Sequence, residues 1–149
     1  MMILNSSSFR DSQEIPQKHG KKVQNVSPQL SWENPPEGTR SFALAMVDKH
    51  PVAQSYVHWL VIDIRADITR LEEGAAAGGM PSGSRQVSPY AGPFPPSGTH
   101  DYEFTLYALN TESVDLPEQV SLQQFTEVIE PRTLTATKLV GKFTKNRAK

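Results

Sequence analysis

The 149-residue chain contains no cysteine. That excludes disulfides, thiolate zinc sites and cysteine nucleophiles, so histidine, carboxylate and hydroxyl groups must carry any chemistry. An excess of one charge is missing too. The 15 basic and 16 acidic side chains give a formal charge of −1, which argues against the broad attraction that holds nucleic acids or anionic membranes. No apolar run approaches the ~18 residues of a membrane span, and the apolar start gives way to Asn5 and serines too early for a signal segment. The expectation is a cytoplasmic protein without stable membrane insertion. Internal repeats are also absent. The length suits a single domain over residues 1–149, with 142–149 as a frayed basic tail.

Twelve prolines against nine glycines lie between apolar segments, where they read as turn and loop devices. Three segments carry strand signals. "SFALAMVD" (41–48) is apolar on both faces, as a central strand is. "VHWLVIDI" (57–64) is β-branched and aromatic, and strict alternation puts His58 on one face with Leu60, Ile62 and Ile64. "YEFTLYAL" (102–109) places Tyr102, Phe104, Leu106 and Ala108 on one face, with His100 if the strand starts that early. Leu30 and Trp32 mark an earlier strand, and 33–40 reads as a loop to a neighbouring one. Residues 67–73 suit one helical turn, 74–79 a small-residue hinge without core side chains, and 74–88 a mobile stretch. Ser121 and Gln124 form a capping box ahead of Leu122, Phe125, Val128 and Ile129, which predicts a helix over 121–130. Residues 134–143 suit either strand or helix.

If the first two strands pair antiparallel, Asp48 closes one and His58 opens the next at the same end of the sheet. His100 and Tyr102 join them if the third strand runs antiparallel to the first. Loops 49–56 and 84–99 then bound a mouth holding Asp48, His58, His100 and Tyr102. Two imidazoles offer donors that become charged near neutral pH, Asp48 can orient one of them, and Tyr102 adds a neutral donor. Each charge-assisted bond to a phosphate-like oxygen is worth roughly 1.5–3 kcal/mol, so the expected affinity is micromolar to millimolar. It should fall as pH rises past a histidine pKa that Asp48 raises. Taken singly, Asp48 also reads as a turn residue, His58 as a satisfied core histidine and Tyr102 as a packed aromatic. His19 and His50 fall in polar settings that suit exposed side chains.

"SPQLSW" (27–32), "SFALAMVD", "VHWLVIDI", "YAGPFPPSGTHDYEFTLYAL" (90–109) and "LVGKF" (139–143) occur in one order, after "FRDSQEIP" from Phe9. Together they resemble the phosphatidylethanolamine-binding protein family, in its short bacterial and archaeal Raf-kinase-inhibitor-like branch. The resemblance implies a mainly β fold, a large antiparallel sheet packed on a smaller one with a few short helices, and an anion pocket at one sheet end. The family draws that pocket from a D-P-D-x-P motif, a histidine before an aromatic, and G-x-H-R-Y. These fall on Asp48, His58, His100 and Tyr102, and Pro95 and Pro96 match paired loop prolines. His50, Tyr90, Gly92 and Phe94 are candidates for the rim. Here the first motif reads Asp48-Lys49-His50-Pro51, Asp101 stands where the family has arginine, and Ser97-Gly98-Thr99 is a shortened approach to His100.

The resemblance implies a non-enzymatic protein, without cofactor, that binds a small anion or phosphorylated headgroup as a monomer or homodimer. The alternative is a regulator that binds a kinase or other signalling protein through the pocket loops. An enzymatic reading would make Asp48, His58 and His100 a two-histidine, one-carboxylate metal site.

Overall fold

The computed structural model describes residues 1–53 and 56–145. The chain runs through β1 (Ile3–Asn5), β2 (Gln13–Glu14), β3 (Leu30–Glu33), β4 (Ser41–Asp48), β5 (Tyr56–Arg65), β6 (Arg70–Leu71), β7 (Arg85–Ser88), β8 (Thr99–Leu109), α1 (Leu122–Ile129) and β9 (Thr133–Thr144). Six strands form the large sheet in the order β2-β9-β8-β4-β5-β7, and β1-β3-β6 form the small one. All large-sheet pairs are antiparallel except β2 with β9. The fold is therefore the mainly β, two-sheet architecture the sequence implies.

β4 is buried along its whole length because it is covered on both faces. Phe42, Leu44 and Met46 join Phe104, Leu106, Trp32 and Leu4 in the core between the sheets. Ala43 and Ala45 join Leu60, Ile62, Phe125 and Ile129 under α1. The helix forms where its capping box predicts. The Ser121 side chain accepts from the Gln124 amide at 3.1 Å, and the Gln124 side chain accepts from the Ser121 amide at 2.9 Å.

Four expectations change and one open reading is resolved. Residues 33–40 do not join neighbouring strands, because β3 and β4 lie in different sheets and meet face to face, with Trp32 and Phe42 rings 5.4 Å apart. Residues 67–73 are not a helical turn: Leu71 is buried and pairs with Leu30, so Arg70–Leu71 adds a third strand to the small sheet. Within 74–88, Ala75 is a core side chain, and Arg85–Ser88 pairs with β5 and buries Val87, which continues the large sheet. Residues 134–143 are extended, because β8 offers a free edge of eleven residues to pair with β9. That pairing carries the chain to Thr144, so Lys142–Thr144 is strand and not tail, while 146–149 lie outside the described residues.

Candidate functional site

β8 runs antiparallel to β4, which opposes Tyr102 to Asp48. Alternation along β8 then points His100, Tyr102, Phe104 and Leu106 to the face that carries the inter-sheet core. At the sheet end that core stops and polar side chains replace it. The His100 Nδ1–H donates to Asp48 Oδ2 at 2.7 Å, with both side chains almost wholly buried. The other carboxylate oxygen, Oδ1, accepts from the His50 amide at 2.8 Å. Asp48 thus orients the His100 ring and leaves Nε2 as the nitrogen available to a guest.

His58 reaches the same place by a departure from alternation. Trp59 pairs with Met46 and Val57 with Val47, so His58 is the extra residue of a β-bulge. Strict alternation would send it under α1 with Leu60 and Ile62. Instead its ring packs edge-on against Tyr102, with centroids 5.1 Å apart, on the Asp48 side of the sheet. A second irregularity, between Phe42 and Leu44, is accompanied by Asp63 at φ 60° and returns Ile64 to the face of Val61. The four apolar-face positions expected together in β5 are thus divided between two cores. His58 Nδ1–H donates to the Ala91 carbonyl, and the Ala91 amide donates back to the His58 carbonyl at 2.8 Å.

The proline-rich segment closes the site. Phe94, Pro95 and Pro96, with Val52, Ala53 and Tyr56, complete a cavity of about 280 Å³ lined by Asp48, His58, His100 and Tyr102. This lies at the small end of ligand pockets and suits a headgroup-sized guest. The Tyr102 hydroxyl is buried here without a well-formed hydrogen bond to any described residue. Burial, then the charge of Asp48, pushes its phenol pKa above the ordinary value, so it remains a neutral donor. Burial holds the His58 pKa below the ordinary imidazole value, and the Ala91 carbonyl and Asp48 offset it only in part. Burial therefore keeps His58 neutral at neutral pH, contrary to the expectation of an imidazole whose pKa Asp48 raises.

Two rim candidates lie elsewhere. The Tyr90 hydroxyl donates to the His19 carbonyl at 2.9 Å and its ring packs edge-on against Trp59, so it belongs to the core. Gly92 faces the His19–Lys21 backbone, where a Cβ would collide with the His19 carbonyl, and its amide donates to the Asn25 side chain at 2.7 Å. His50 stacks on His100 with centroids 3.9 Å apart, and its Nδ1 accepts from the Val52 amide at 3.1 Å. His19 is wholly buried and not exposed, because the Val26 carbonyl accepts from its Nδ1 and the Tyr90 segment covers it. Asp101 points away and pairs with Lys142 at 3.1 Å. Among the described residues no group of three His, Asp or Glu side chains is arranged to hold an ion. Sequence reading missed Val52, Ala53 and Tyr56 as lining residues, for which only their place in the loop over the mouth was a signal.

A two-sheet β protein with a polar pocket at one end of its large sheet is a recognisable class. The sequence model for phosphatidylethanolamine-binding protein matches residues 5–144, and the chain belongs to that family. It is 37% identical over 149 residues to a UPF0098 protein of Methanothermobacter thermautotrophicus, covering 95% of this chain and 98% of the relative. It is 36% identical over 135 residues to the UPF0098 protein YbhB of Escherichia coli K12, covering 80% of this chain and 85% of that one. The crystal structure of E. coli YbcL, described as a new member of the mammalian PEBP family, is similar in fold. Its TM-score is 0.88 at 24% identity, over 97% of this chain and 99% of that one.

Proposed function

We propose that the protein binds a small anion or a phosphate-bearing headgroup at the Asp48–His58–His100–Tyr102 pocket and performs no chemistry on it. The observation that carries this reading is the buried Tyr102 hydroxyl, which makes no well-formed hydrogen bond in a pocket lined by two imidazoles. A buried hydroxyl left unpaired costs about 1–3 kcal/mol, and an anion's oxygen would relieve it. Each imidazole is tethered through Nδ1, to Ala91 or to Asp48, which leaves Nε2 for a guest; on neutral His58 that nitrogen accepts, and it donates to an anion only once the ring is protonated, a form that the anion's charge favours. The side chains lining the cavity include no serine, threonine or lysine.

Titration with inorganic phosphate, followed through the imidazole resonances by NMR, tests the reading. Saturable shifts of His58 and His100 at micromolar to millimolar phosphate are expected. If neither moves at millimolar phosphate, the pocket is not an anion site.

A further inference from the structure

Behind the Phe94–Pro96 wall lies a second and larger concavity, of about 690 Å³. Its apolar floor is built by Val23, Pro93, Phe94, Pro95, Pro96 and Phe143, and Lys22 and Lys145 stand at its edges. Lys21 Nζ sits 4.6 Å above the Phe94 ring. Lys18, Lys138 and Lys142 pair with Glu73, Glu103 and Asp101, whereas Lys21, Lys22 and Lys145 have no carboxylate partner among the described residues. In a chain of net charge −1, Lys22 and Lys145 lining one apolar groove, with Lys21 beside its Phe94 wall, make a local field of the opposite sign.

We propose that this groove docks an extended acidic segment of a partner protein, with an apolar side chain on the proline and phenylalanine floor and carboxylates on Lys22 and Lys145. Charge complementarity selects the acidic partner. The concave shape selects a peptide over a bilayer, since a flat lipid surface would leave the floor uncovered. Val23 is the exposed apolar side chain at the groove, 40% accessible, and gives the anchor its contact. The groove and the anion pocket share Phe94, Pro95 and Pro96, so an occupant of one touches the wall of the other.

The test uses the full chain and a fluorescein-labelled peptide of about eight residues alternating glutamate and leucine, with a lysine–leucine peptide as control. The acidic peptide should bind, weaken as salt is raised, and lose about tenfold in affinity to the Lys22→Glu/Lys145→Glu double variant. Both side chains are exposed, so the fold should survive the change. The variant's phosphate titration should match the wild type, which separates this groove from the pocket. Equal binding of both peptides, or undiminished binding to the double variant, would overturn the proposal. So would binding of phosphatidylglycerol vesicles without binding of the peptide.

Discussion

The Tyr102 hydroxyl lies beside Asp48 and the Phe94 backbone without a well-formed hydrogen bond to either. Tyr102→Phe removes a buried group without a partner, so urea unfolding should show a stability unchanged or slightly higher. Phosphate affinity should fall roughly tenfold in the same variant, the loss of one charge-assisted bond. A variant that loses stability but keeps its affinity would make Tyr102 a packing residue only. Asp48 should behave in the opposite way. It accepts from the His100 ring and the His50 amide while almost wholly buried. Asp48→Ala leaves both donors unpaired and should cost about 3 kcal/mol in urea unfolding, along with the phosphate response.

The pocket wall works as an element, and its anchor lies outside the pocket. Gly92 fits against the His19–Lys21 backbone because it has no Cβ. The neighbouring Ala91 holds His58 through two hydrogen bonds, one in each direction. Gly92→Ala should therefore displace the wall and weaken phosphate binding, although residue 92 does not line the cavity; NMR titration would reveal the loss. α1 is the contrasting element. Ser121→Ala removes its capping box and should cost about 1 kcal/mol in denaturant unfolding, with phosphate affinity unaltered, because the helix packs on the face of the sheet away from the pocket core.

Over the molecule as a whole, two buried histidines couple stability to pH. Burial lowers the pKa of His19 and of His58, against the hydrogen bonds that each makes to a backbone carbonyl. The unfolded chain then binds more protons than the folded one below about pH 6.5. This contribution is intact above that pH and is lost as pH falls through the interval down to the lowered folded values. Thermal unfolding should show Tm dropping between about pH 7 and 5. Added phosphate should recover part of the drop, because an anion beside His58 favours its protonated form. A Tm that rises on acidification would contradict the assigned direction for both residues.

Much of this was legible along the chain. The apolar 42–47 run, the period-two pattern from His100 to Ala108 and the capping box at Ser121 each require only nearest neighbours, since alternation and capping are local properties. They account for β4, β8 and α1, and for the shared face of His100 and Tyr102. The ambiguous 134–143 segment was settled by its pairing with β8, a contact that local propensity does not contain. The same reason explains Arg70–Leu71 and Arg85–Ser88, short strands that exist because a neighbouring edge needs partners for its backbone groups.

Residue types and their spacing were enough to indicate a mainly β chain, to put Asp48, His100 and Tyr102 at strand ends and to exclude thiol chemistry, and the antiparallel pairing of β4 with β8 brought the three together. The position of His58 was settled in three dimensions. Its spacing pointed to the helix side, and the bulge against Met46 and Val47 turned it to the pocket. A bulge is a mismatch between two strands, so no single strand encodes it. The neutral state of the His58 ring is likewise a property of the packed site, because the desolvation that lowers its pKa comes from the neighbours that folding brings around it.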